Sequence, residues 1–274
     1  MTTATAPQSP ARPSGPIMPG VLRAEWAKLA SVRSTPLLLL TALVVTVAIS
    51  AVVTTVYAAQ YDPAFAARHT VDPTYWSLDG VIFGQFAIGV LGVLAIGSEY
   101  DTGLISTTFT AVPQRRTVFL AKIVVTSTTA LATGLASGLG AFLLGQAILS
   151  REHVQTTLGD PGVPRAVLGS GLYLAVLAVL AVSLAALIRH STGAIVALLG
   201  LLLVLPALGA VLPASWQHTL APYLPGNAGL AILHVVPMPN TAAPWTGFTV
   251  FCAYTALAFA AALLVLSRRD TLPR

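Results

Sequence analysis

The sequence predicts an all-α membrane protein with six transmembrane helices, an N-terminal amphipathic interfacial helix and an external re-entrant helical loop before the last span. Two observations predict it. Hydrophobic residues make up 55% of the chain and charged residues 8%, with a mean hydropathy of +0.82; a soluble domain carries about 25% charged residues. The apolar residues also gather into six runs long enough for a bilayer core, which takes roughly 20 residues per helix. The net charge of +5 is scattered between those runs, as basic flanks of membrane spans are, and leaves no footprint for nucleic acid. The single cysteine, Cys252, permits neither a disulfide within the chain nor a cysteine metal cluster.

Taken in order, residues 1–20 are rich in Pro, Ser, Thr and Ala, with Arg12 the one charge. Such a segment buries too little apolar surface to fold and reads as a disordered cytoplasmic tail. It is not a signal peptide, because the first apolar run begins only at Leu37 and is too long for a signal core. Val21–Ser34 places Leu22, Trp26, Leu29 and Val32 at three- and four-residue steps, with Arg23 and Lys28 on other faces and Glu25 three residues before Lys28. This predicts an amphipathic helix on the inner membrane surface with Trp26 at headgroup depth. Thr35-Pro36 breaks it, and Pro36 suits the first turn of the next helix.

The spans are Leu37–Ala58, Gly80–Gly97, Ile123–Leu149, Ala166–Ile188, Thr192–Leu212 and Trp245–Leu266, within one transmembrane domain over 21–274. The third exceeds the bilayer and is expected to tilt or project into the cytoplasm. Pro206 is expected to kink the fifth. Arg189-His190-Ser191 leaves room only for a tight hairpin between the fourth and fifth.

Orientation follows from lysine and arginine. With the N-terminus inside, Arg12, Arg23, Lys28, Arg33, Arg115, Arg116, Lys122, Arg189, Arg268, Arg269 and Arg274 are cytoplasmic, against Arg68, Arg151 and Arg165 outside. Eleven against three puts both termini in the cytoplasm of a multi-pass cell-membrane protein. Tyr57, Tyr61, Tyr75, Trp76, Trp216, Tyr223 and Trp245 then fall near external span ends, where an aromatic belt belongs. Between Arg189 and Arg268 there is no Asp, Glu, Lys or Arg, so Pro213–Pro244 predicts a re-entrant or interfacial loop whose backbone is covered by protein.

The main polar interruption is Ser98–Lys122, opened by Glu99 and Asp101 and closed by Pro113, Arg115 and Arg116. Lys122, at the inner edge of the third span, is expected to snorkel to the surface. None of the six runs contains Asp or Glu, which ion-coupled transport and intramembrane proteolysis would need at depth. There is no H-E-x-x-H and no G-x-x-x-x-G-K-[ST], and the five histidines lack metal-ligand spacing, so no catalytic, cofactor or metal residue is assigned. A transporter built this way borrows its energy from a separate ATPase. Gly80 with Gly84, Gly134 with Gly138, and Gly193 with Ala197 have the spacing of close helix crossings, and Gln85 and Gln146 read as interhelical glue, with lining of the path as the alternative.

The chain resembles the membrane subunit of type-2 ATP-binding-cassette transporters in its six-span permease form. V-L-R-A-E-W-A-K-L-A-S-V-R-S-T (Val21–Thr35) is similar to the connecting helix of that family. L-G-V-L-A-I-G-S-E-Y-D-T-G-L-I-S-T-T-F-T-A-V-P-Q-R-R (Leu91–Arg116) with Lys122 is similar to the second span and coupling segment, with Glu99, Gly103, Pro113, Arg115 and Lys122 on the E…G…P-x-R…K pattern. Y-L-P-G-N-A-G-L-A-I (Tyr223–Ile232), P-W-T-G-F (Pro244–Phe248) and S-R-R-D (Ser267–Asp270) resemble the outer loop and the ending. The resemblance implies an exporter subunit that moves a hydrophobic or amphipathic substrate. It would dimerise with itself or a sister permease and bind a cytoplasmic ABC ATPase, in which ATP and magnesium reside. Glu99–Arg116 would be the coupling segment, with Glu99, Asp101, Arg115 and Arg116 in contact with the ATPase. The alternative is a non-transport immunity or anchoring protein that binds a toxin, lipid or signalling partner and needs no ATPase.

Overall fold

The computed structural model describes residues 17–62, 70–211 and 213–268. The expected tail over 1–16, Arg68 and His69, Leu212 at the end of the fifth run, and Arg269 to Arg274 lie outside the described residues. The described chain is all-helical, 83% helix with no strands, and six helices are long and apolar enough to cross a membrane.

Helix α1 (Ile17–Ser31) begins inside the segment expected to be tail. Pro19 does not prevent this, because a proline in the first helical turn has no intrahelical N–H to lose. Only Val32 and Arg33 separate α1 from α2 (Ser34–Gln60), whose buried residues Ala42, Thr46, Ser50, Thr54 and Ala58 recur every fourth position. That is one ridge of small side chains, and it lets a neighbour approach to backbone distance. The neighbours include α3 (Pro73–Leu78) and α4 (Val81–Asp101). A Cβ on Gly80 would stand 2.0 Å from the Thr46 carbonyl oxygen, and one on Gly84 would stand 2.0 Å from the Thr46 hydroxyl.

After α5 (Leu104–Ala111) comes α6 (Arg115–Leu149), a single helix of 35 residues. At 1.5 Å per residue it is about 50 Å long, well beyond a hydrocarbon core of about 30 Å. It crosses α7 (Val163–Ile188) at another glycine pair: Cβ atoms on Gly134 and Gly138 would come within 2.8 Å of Gly171 Cα and 2.0 Å of Ser170 Oγ. Helix α7 is the centre of the bundle, packed by α4, α6, α8 and α12, and it carries the fully buried Tyr173, Leu174, Leu177 and Leu180. Tyr173 hydrogen-bonds Gln85 of α4 inside this core.

The fifth span runs as α8 (Ser191–Leu199), a π-helical stretch Gly200–Val204, and α9 (Leu205–Ala210). The expected distortion at Pro206 therefore takes the form of a widened turn just before the proline, which makes room for its ring against the preceding carbonyls. Short pieces follow: α10 (Ala214–Thr219), Ala221–Tyr223, α11 (Pro225–Leu230) and Ala231–Leu233. Pro225, Gly226, Ala228 and Gly229 of α11 and the turn Ala231–Leu233 are buried, and both pieces pack on α12 (Pro244–Arg268).

The uncharged interval finds its polar partners elsewhere in the chain. Asp72, before α3, accepts hydrogen bonds from the amides of Val235 (2.8 Å) and Val236 (2.9 Å). Arg165 of α7 donates to the carbonyls of Ile232 (2.7 Å) and His234 (2.8 Å). Gln146 binds Pro73 O, Ser77 Oγ and the Thr156 amide, so it ties the far end of α6 to α3. Trp76 departs from the aromatic-belt expectation: it is 4% exposed and stacks on Tyr57 at 4.4 Å between ring centroids. Trp216, Tyr223 and Trp245 are exposed.

Candidate functional site

Where α1 meets the ends of α4 and α6, four charged side chains form one cluster, with Glu25, Glu99 and Lys122 buried and Lys28 at its exposed edge. Lys122 Nζ lies 2.7 Å from Glu25 Oε2, 2.6 Å from Glu99 Oε1 and 3.1 Å from the carbonyl of Ala95. An ammonium has three N–H donors, so Lys122 is fully satisfied without water. Lys28 lies 3.0 Å from Glu25 Oε1 and 3.1 Å from Glu99 Oε1, and Thr108 of α5 donates to Glu99 Oε2 at 3.3 Å. Two lysines and two glutamates balance to zero.

This arrangement corrects the expectation that Lys122 snorkels: it is 2% exposed, because two carboxylates come to it. Glu99 is 9% exposed and both of its oxygens are engaged inside the protein, so it faces inward rather than offering a free carboxylate. Burial pulls the Lys28 ammonium toward neutrality, but the Glu25 and Glu99 carboxylates outweigh it and hold its pKa above the ordinary lysine value. Beside the cluster a cavity of about 510 Å³ is lined by Lys28, Ser31, Leu38, Leu91, Leu94 and Thr107 among others.

The cluster fixes α5 against the bundle. Gly103 has φ +72° with open space where a Cβ would be, so glycine is there for the left-handed turn that launches α5. Val112 is extended ahead of Pro113, which ends the helix. Ile105 and Phe109, one turn apart, are buried, while Leu104, Thr107, Thr110 and Ala111 are exposed. Thr107 and Thr110 turn their hydroxyls to the carbonyls of Leu104 and Ser106, which leaves an outward face of low polarity with Leu104 57% exposed.

The remaining expected residues are spread around this face. Asp101 is exposed and accepts from the Ser191 amide at 3.2 Å. The Arg115 guanidinium lies 5.6 Å from the Phe109 ring, and Arg116 is exposed. On α1, Arg23 and Trp26 point away from the bundle, whereas Val21 and Glu25 face it. Sequence reasoning missed Glu25, Thr108 and Leu104. The signal for Glu25 was the presence of a single acid on the helix beside an otherwise unpaired lysine in an apolar span. Leu104 carried no signal beyond its place after Gly103.

The sequence matches the family described as ABC-2 family transporter protein over residues 21–206, a stretch that contains the whole cluster. No curated protein matches the chain.

Proposed function

We propose, since the chain belongs to the ABC-2 family of transporter proteins, that it is an exporter permease whose spans are driven through α5 by a separate ATP-hydrolysing subunit. As a multi-pass ABC permease it associates with the membrane and with an ABC ATPase. The proposal adds export of a hydrophobic or amphipathic substrate, pairing with a second permease copy or a sister, and termini on the ATPase side. ATP and its magnesium belong to the partner, where the chemistry occurs; this chain supplies the path and a packing with two states that nucleotide biases.

One observation carries the reading. Helix α5 has an outward face of low polarity, while its inner side and the cluster behind it join α1, α4 and α6. A force applied to that face reaches three helices through contacts under 3.5 Å rather than through a flexible loop. Arg116 supports it: it lies in the first turn of α6, where the helix dipole disfavours cations, and it is exposed, so its charge serves something outside the helix. An acidic rim on the ATPase is the fitting partner for Arg116.

The test is a tagged chain co-purified with its ATPase and reconstituted in liposomes. Reversing two charges together, Glu99→Lys with Arg116→Glu, is expected to abolish ATP-driven transport. Complex formation and transport both left intact would remove the coupling assignment.

A further inference from the structure

The hairpin between α7 and α8 holds a cation two of whose buried nitrogens have no acceptor. The Nε and Nη2 of Arg189 are buried and have no hydrogen-bond partner, and the same is true of the Tyr100 hydroxyl. They share one neighbourhood: the Arg189 guanidinium lies 5.9 Å from the centre of the Tyr100 ring, and Ser191, only 6% exposed, packs against Gly97 one turn before Tyr100. Arg115 is also near enough to Tyr100 to act on it electrostatically. Leaving buried charged donors unmet is costly, more so than for neutral groups.

The neighbouring acids do not meet this need. Glu99 is committed to Lys122, Lys28 and Thr108, and Asp101 accepts from the Ser191 amide. That contact also fills the first amide of α8, so the free donors are side chains and not a helix end. Their position indicates what is missing. One candidate span ends at Ile188 and the next begins at Ser191, so Arg189 sits at a membrane boundary. On either side Ile188 and Val196 expose apolar side chains, a surface suited to lipid acyl chains.

We infer that Arg189 and Tyr100 form a site for the phosphate group of an anionic phospholipid in the adjoining leaflet. Phosphate offers several oxygens to a forked guanidinium and a hydroxyl at once, and charge-assisted bonds of this kind are the strong ones. A free phosphate ion has the same chemistry without the acyl chains, and a carboxylate of the ATPase would be a different partner altogether.

The experiment uses the full chain purified in dodecyl maltoside, with phosphatidylglycerol, phosphatidylcholine or inorganic phosphate added. The informative variant is Arg189→Gly. Arg189 has φ +61°, a conformation glycine adopts freely, so the variant removes the charge and relaxes the backbone together. Phosphatidylglycerol is expected to raise the thermal midpoint of the native chain. Its binding by native mass spectrometry is expected to weaken about ten- to a hundredfold in Arg189→Gly, the loss of a charged hydrogen-bonding partner. Tyr100→Phe, which keeps the ring and removes the hydroxyl, weakens it less and gives the same reading should Arg189→Gly not fold. An undiminished phosphatidylglycerol effect in both variants overturns the site. An equal rise with phosphatidylcholine or with inorganic phosphate overturns the anionic lipid as its ligand. Stabilisation that depends on Arg189 only when the ATPase is present assigns the acceptor to the partner instead.

Discussion

Replacing Lys122 by methionine is expected to cost the folded protein about 3–5 kcal/mol, the penalty for removing one partner of a buried ion pair. The cluster is neutral only as a foursome. Without Lys122, Glu25 at 6% exposure and Glu99 at 9% share one remaining cation, Lys28, whose side chain is 45% exposed and partly screened by solvent. Lys28→Met should cost far less, since exposed pairs contribute about 0–1 kcal/mol. Adding Glu25→Gln to Lys122→Met restores neutrality around Glu99 and Lys28 and should recover part of the loss, a coupling that distant, independent sites do not show. Thermal unfolding of the purified chain in detergent measures all four proteins. A Lys122→Met variant as stable as the native chain, or a double variant no better than the single one, would mean the cluster does not hold α1 to the bundle.

Gly80→Ala is the second large effect. The added methyl would sit 2.0 Å from the Thr46 carbonyl oxygen and 2.8 Å from the Ser50 amide nitrogen, and both are backbone atoms with little freedom to yield. Gly80 N–H also donates to Ser50 Oγ at 3.0 Å, so separating α2 from this turn breaks a bond as well as opening a gap. Overpacking of this kind costs about 1–3 kcal/mol and occasionally more. Gly140→Ala in α6 is the matched control: its methyl would meet only Val47 Cγ2 at 3.5 Å, an ordinary contact. Helix propensity then favours the alanine by about 1 kcal/mol. The two changes should move the thermal midpoint in opposite directions, and movement in the same direction would contradict the close crossing.

The apolar helices were legible because hydropathy averages over a whole span and tolerates local error. The segment that holds α5 was placed only by the resemblance, through Gly103 and Pro113, and its bounds as a helix came from the structure. The charge cluster was not legible in this way. Glu25 was matched to Lys28 three residues on, whereas Lys122, its closer partner in space at 2.7 Å, is 97 positions away. Snorkelling was a reasonable expectation for a lysine at a span edge, since the four-carbon stem reaches water; it gave way because two glutamates reached the ammonium first. Distance in sequence likewise hid Asp72 and Arg165, which serve the backbone at Ile232–Val236 from the start of α3 and from α7. Trp76 looked interfacial for its residue type and lies inside because Tyr57 stacks on it.

The internal tie and the docking face are separable by one measurement: recovery of the ATPase with a tagged chain carrying either Leu104→Asp or Glu99→Gln. Leu104 is exposed on α5, and a carboxylate there spoils an apolar contact without touching the cluster. Glu99 faces inward, and glutamine retains an oxygen for Lys122. The account predicts that Leu104→Asp loses the ATPase while Glu99→Gln retains it; retention by Leu104→Asp together with loss by a folded Glu99→Gln would contradict it.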